Sequence, residues 1–128
     1  MRRFSGRSPG GGRPAVICGA AAEQEALSWL RQRGLVLVQQ NYHCRGGEID
    51  LIMRDQQTLV FVEVRARAAG SMVRAEDSID ARKQLRIGRA VRHYLAQHPA
   101  AADQYLRVDV LAHNGQQWRW LKHVMEFA

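Results

Sequence analysis

Three carboxylates stand where they could do chemistry together: Glu23 in a stretch of helical spacing, and Asp50 and Glu63 on two strand-like runs joined by a short turn. Side chains alternate along a strand, so Glu48 and Asp50 should take one face while Ile49 and Leu51 take the other. On the next run Glu63 and Arg65 share a face with Leu59 and Phe61. A tight turn centred between Gln56 and Gln57 sets Asp50 opposite Glu63 and Glu48 opposite Arg65. Like charges directly opposite in a sheet are destabilising, so this pair calls for positive charge, and a divalent metal can supply it. Mg²⁺ or Mn²⁺ held by carboxylates and phosphate oxygens polarises a phosphate and lowers the pKa of an attacking water. The chemistry expected is phosphodiester hydrolysis. Glu23 shares a helical face with Leu27 and Leu30, and a carboxylate on a buried stripe needs a partner. It either closes the metal site from the helix side or is satisfied by arginine or backbone donors. The competing reading of the whole set is surface ion pairs on a half-exposed sheet.

The elements that must position these groups follow from periodicity. Gly19 to Arg33 reads as a helix, with Ala26, Leu27 and Leu30 on one side and Gly34 as its stop. Leu35 to Gln39 begins a sheet, and Glu48 to Met53 and Thr58 to Arg65 are two clear strands. Ala66 to Ser78 is small, polar and basic without periodicity, a loop beside the hairpin. Asp80 or Ser78 caps a second helix that runs to about Gln97, ahead of His98 and Pro99. Tyr105 to Ala112 is a fourth strand, Asn114 and Gly115 a hairpin turn, and Gln117 to Val124 a fifth strand. The fold class expected is α/β with a mixed five-stranded sheet in the order α-β-β-β-α-β-β. Residues 1–18, rich in glycine and arginine, read as a flexible basic arm, and 19–128 as a single domain.

Composition sets the outer bounds. The 128 residues suit one domain, and 46% hydrophobic with 24% charged residues is ordinary for a soluble globular chain. No apolar run is long enough to span a bilayer and no signal-peptide core is present, so a cytoplasmic protein is expected. Cys18 and Cys44 read as two reduced thiols. The net charge of +7 points to an anionic partner, although Arg2, Arg3, Arg7 and Arg13 supply four of those charges and leave about +3 for the remainder.

The same residues carry a resemblance. The chain from about Gly19 to Phe127 resembles the YraN family of bacterial proteins. The likeness lies in Glu23 and Ala26 followed by Leu30 and Gly34, Asn41, the run Gly47 to Ile52, the run Val60 to Arg67, Lys83, and Arg107 with Asp109. The resemblance implies a restriction-endonuclease-like core, related to archaeal Holliday junction resolvases, with Glu23, Asp50 and Glu63 as metal ligands. It also implies nucleic acid as the partner, DNA of structured or branched form, and a homodimer by analogy. The family's motif expects lysine two residues after the strand glutamate, and this chain has Arg65 there. Arginine does not shed its proton, which leaves two readings: an endonuclease in which Arg65 contacts phosphate, or a module of the same fold that binds nucleic acid or protein without catalysis. A purely structural interaction domain is a third.

Lys83 shares a side of the second helix with Ile87, Ala90 and Tyr94. Its ammonium is either directed toward the carboxylates or snorkels from the edge of the core. Arg82, Arg86, Arg89 and His93 form a stripe that can follow a phosphate backbone, with Arg67 and Arg74 as further phosphate contacts, or else a solvated face. Trp118 and Trp120 alternate on a strand and are read as core in preference to stacking platforms. His43 and Cys44 lack the companion pair of a zinc site.

Overall fold

The computed structural model describes residues 19–66 and 79–127. The arm expected at 1–18, and Arg67 and Arg74, lie outside the described residues. Helix α1, Gly19–Arg31, turns Ala22, Ala26, Leu27 and Leu30 inward. It stops where Gly34 adopts φ +94, and Leu35 N donates back to Leu30 O at 3.2 Å, closing carbonyls that the helix end leaves open.

Strand β1, Val36–Cys44, runs well beyond the Gln39 expected as its end. Its polar residues are tolerated because β1 is an edge strand with one side open to solvent. Strands β2, Gly47–Asp55, and β3, Thr58–Ala66, form the expected hairpin, with Asp55 opposite Thr58. Helix α2, Ala81–Gln97, is capped by Asp80, whose Oδ1 accepts from Lys83 N at 2.8 Å. A short 3-10 helix, Pro99–Asp103, leads into β4, Tyr105–His113, and then β5, Trp118–Leu121.

The sheet order is β1-β2-β3-β4-β5, antiparallel throughout except for the parallel pair β3 and β4, which α2 connects. This is the mixed five-stranded sheet in α-β-β-β-α-β-β order that the sequence predicted. α1 covers one face over Leu51, Met53, Val60, Val62 and Leu111. α2 covers the other over Ile49, Ile52, Phe61, Val108 and Val110. The approach of α2 is close: a Cβ on Gly47 would meet Arg86 O at 2.3 Å and Ala90 N at 2.9 Å, so only glycine fits there. Among the described residues, no helix is long and apolar enough to cross a membrane.

Two expectations need correction. Ile49 and Leu51 do not share a face, since Ile49 packs under α2 and Leu51 under α1. The strand turns over between them, beside Asn41 of β1, which adopts φ +51. The β2–β3 ladder accordingly ends at Leu51 opposite Val62. Asp50 and Glu63 follow in the predicted register but outside the ladder, and it closes before Glu48 reaches Arg65. Glu48 lies instead 3.7 Å from Arg86 and 3.7 Å from His43.

The fifth strand is also shorter than the predicted Gln117 to Val124. Fully buried Asp109 accepts from Trp120 Nε1 at 2.8 Å and from His123 N at 3.0 Å, while His123 at φ +57 turns the chain out of the ladder. Val124 N then donates to Val108 O at 2.8 Å, and Val124, Met125 and Phe127 pack against the α2-side core. Arg107 completes this anchor, with Nε 2.9 Å from Asp109 Oδ1 and Nη2 3.1 Å from Asp55 Oδ2.

Candidate active site

The first half of α1, the turning point of β2, the end of β3 and the start of α2 meet at one place. Ala22 and Ala26 are buried against the sheet, which holds Glu23 between them at the rim of the α1 packing, half-buried. Asp50 comes off β2 where the strand turns over. Its side chain therefore stays near the level of the sheet, and its Oδ2 accepts Val64 N of β3 at 2.8 Å. Glu63 is buried next to it, 8% exposed, following Phe61 on the α2 side of β3.

From α2, Lys83 reaches back to Glu63, with Nζ 3.2 Å from Oε2. The capped first turn makes this possible, because Asp80 fixes the helix start and Ile79 is buried ahead of it. Of the two readings of Lys83, the inward one describes its geometry. Arg65, two residues along β3, has Nε 4.0 Å from the same Glu63 oxygen. Two cations thus flank one carboxylate, the nearer from the helix and not from the strand.

The electrostatics record the crowding. Burial, then the neighbouring Asp50 charge, pushes the Glu63 carboxyl up to about 7 against the pull of Lys83 and Arg65. Burial also raises Asp50, opposed by the Val64 N–H and the Lys83 charge. Glu23 is raised by burial and by the neighbouring Asp50, while Asn41 acts the other way. Three carboxyls that each hold their protons above the ordinary range mark a place where added positive charge is favoured.

Carboxylate oxygens are the ligands that hard divalent cations such as Mg²⁺ and Mn²⁺ prefer, so the donor set fits a metal of this kind. Among the described residues, no three Asp, Glu, His or Cys side chains are grouped closely enough to hold a metal ion as they stand. Glu63 is turned to Lys83 and Arg65.

The remaining predicted residues lie on the exposed side of α2. Arg82 and Arg89 are exposed and Arg86 is partly so. Arg86 stands beside Glu48, and the Arg89 side chain passes over Gly46 in the β1–β2 turn, where a Cβ would meet its Cδ at 3.2 Å. Trp118 and Trp120 pack on the α1-side core, as expected. Asn41 was legible only as part of the resemblance. Its contact with Glu23 had no sequence signal beyond asparagine's tolerance of a left-handed backbone.

Comparison with known proteins matches residues 22–112 to the uncharacterised protein family UPF0102. A UPF0102 protein from Pseudomonas entomophila is 46% identical over 113 residues, covering 84% of this chain and 92% of that protein. Another from Aeromonas hydrophila is 51% identical over 102 residues, covering 79% and 78%. A third, from Alcanivorax borkumensis, is 50% identical over 93 residues, covering 73% and 74%. The matched span contains Glu23, Asp50, Glu63, Arg65 and Lys83, and the chain belongs to UPF0102, the YraN family.

Proposed function

We propose that this chain binds nucleic acid and hydrolyses phosphodiester bonds in structured or branched DNA, with Glu23, Asp50 and Glu63 as ligands of a divalent cation. The observation that carries this reading is the Lys83 ammonium 3.2 Å from Glu63. It brings to the carboxylates, from α2, the lysine that the family's motif expects on β3. A bound Mg²⁺ or Mn²⁺ supplies a polarised phosphate and a water of lowered pKa. Lys83 holds Glu63 in place and balances the negative charge that grows on the phosphate during attack. Arg65 remains protonated, so it grips a phosphate oxygen and exchanges no proton.

Binding of the backbone falls to α2, which carries Arg82, Lys83, Arg86, Arg89 and Arg92 and no acidic residue between Ala81 and Gln97. Such contacts position a duplex without reading its sequence. The second reading, a non-catalytic binding module, is favoured by Arg65 in the motif position.

The deciding experiment is cleavage of labelled duplex, single-stranded, flap and four-way-junction DNA with Mn²⁺ or Mg²⁺, beside Asp50→Asn, Lys83→Met and Arg65→Lys. Cleavage by the wild type that Asp50→Asn and Lys83→Met abolish supports the enzyme. An inert wild type whose Arg65→Lys variant cuts makes the chain a binding module with a lapsed site. Silence from every protein removes the catalytic reading. Light scattering of the same samples tests the homodimer.

A further inference from the structure

Among the described residues, Asn41 combines two features that no other residue of the sheet shares. It is a non-glycine residue of a strand at φ +51, in the left-handed region. It faces Asp50 across β1 and β2, yet the two carry no ladder pair, although Gln40 pairs with Leu51 and Tyr42 with Ile49 on either side. Its side-chain amide also lies toward Glu23 and favours the charged form of that carboxyl.

The pairs on either side belong to opposite faces of the sheet. Tyr42 and Ile49 lie in the α2-side core, whereas Leu51, the partner of Gln40, lies in the α1-side core. Residues two apart on a regular strand share a face, so both strands turn over together at Asn41 and Asp50. A side chain at such a point stays level with the sheet. There Asp50 replaces a backbone carbonyl as acceptor for Val64 N, at 2.8 Å. A left-handed residue is one of the few local devices that turns a strand over without breaking it, and asparagine is among the few side chains that accept that backbone.

We infer that Asn41 is the positioning residue of the carboxylate site: its left-handed backbone turns β1 and β2 over so that Asp50 projects beside Glu23 and caps Val64 N–H. The part of this inference that concerns metal rests on the reading given under Proposed function. The part that concerns the backbone does not.

The test is the protection of the Val64 amide against hydrogen exchange, expressed relative to the protection of the core amide of Val110 in the same sample so that global stability cancels. Glycine takes the left-handed conformation freely, and Asn41→Gly should keep the Val64 ratio within about threefold of wild type. Asn41→Ala and Asn41→Val resist that conformation and should lower the ratio by about tenfold or more, the milder Ala variant serving if Val does not fold. A wild-type ratio in Asn41→Ala, or a loss in Asn41→Gly as large as that in Asn41→Ala, overturns the backbone role. Mn²⁺ titration followed by water proton relaxation completes the test. Asn41→Gly, which keeps the backbone, should bind Mn²⁺ within about threefold of wild type and Asn41→Ala several-fold more weakly, and equal affinity in Asn41→Ala overturns the link between this backbone and the site. A wild type that takes up no Mn²⁺ overturns the metal reading, while the protection ratio still decides the backbone role.

Discussion

Asp109 and Glu63 are both buried carboxylates with a basic partner, and they have opposite surroundings. Asp109 is fully buried and receives donors on both oxygens: Arg107 through Nε and Nη2, Trp120 through Nε1, and His123 through its backbone N–H. Glu63 has Lys83 at 3.2 Å and Arg65 at 4.0 Å, and it faces the charge of Asp50. A saturated carboxylate is an anchor, holding the C-terminal segment to β4. One left short of donors beside a like charge can take another positive group.

The contrast is broken most severely at Asp109. Asp109→Ala leaves Arg107 buried without its main partner, so a loss of about 3 to 5 kcal/mol is expected, a fall in Tm of roughly 10 to 20 °C by calorimetry. If Asp109 is only an anchor, DNA affinity of the variant below its Tm should be unchanged.

Next in size is the effect of metal on Glu63 and its neighbours. Saturating Mn²⁺ should raise the wild-type Tm, by the equivalent of about 2.7 kcal/mol at one hundred times Kd. The increment should vanish in Asp50→Asn and survive in a variant of the anchor such as Asp55→Asn, as thermal melts with and without metal will show.

The pH dependence comes third. The folded-state Glu63 carboxyl lies at about 7, above its ordinary value of 4.5. The folded chain therefore binds more protons than the unfolded one between these values. This group's contribution to stability is full below about 4.5 and is lost as pH rises through about 7. Glu63→Gln should remove that loss, gaining about 1 to 2 kcal/mol over wild type at pH 8 and little at pH 5, read from urea unfolding at the two pH values. A difference that does not change with pH would show that Glu63 is no less satisfied than Asp109. The smallest change belongs to Asp55, which shares Arg107 at 3.1 Å from a partly exposed position. Asp55→Asn should cost about 1 kcal/mol or less, measured in the same unfolding series.

Much of this arrangement was legible in the sequence because it rests on short-range rules. Gly34 ended α1, the Gln56–Gln57 turn fixed the hairpin register, and Asp80 capped α2, each through local backbone chemistry. That Asp50 neighbours both Glu23 and Glu63 was anticipated from helix and strand period together with the family motif. Lys83 was ambiguous because its position on α2 lies at the boundary between the buried and exposed sides, and only the approach of the helix over Gly47 resolves its direction. The turn-over at Asn41 and Asp50 was not legible. Strict alternation put Ile49 and Leu51 on one face, and nothing in the order of polar and apolar residues announces a change of phase. The early end of β5 was hidden for another reason: the group that ends it, Asp109, lies on another strand.

The irregularity of β1 has a consequence for association. An edge strand of nine residues is a template on which another chain can grow a sheet. Here the bulge between Leu37 and Gln39 and the left-handed Asn41 break the even spacing of its outward N–H and C=O groups. A straight partner strand can therefore pair with only a few residues at a time. The distortion that shapes the carboxylate site thus also guards the open margin of the sheet against edge-to-edge aggregation.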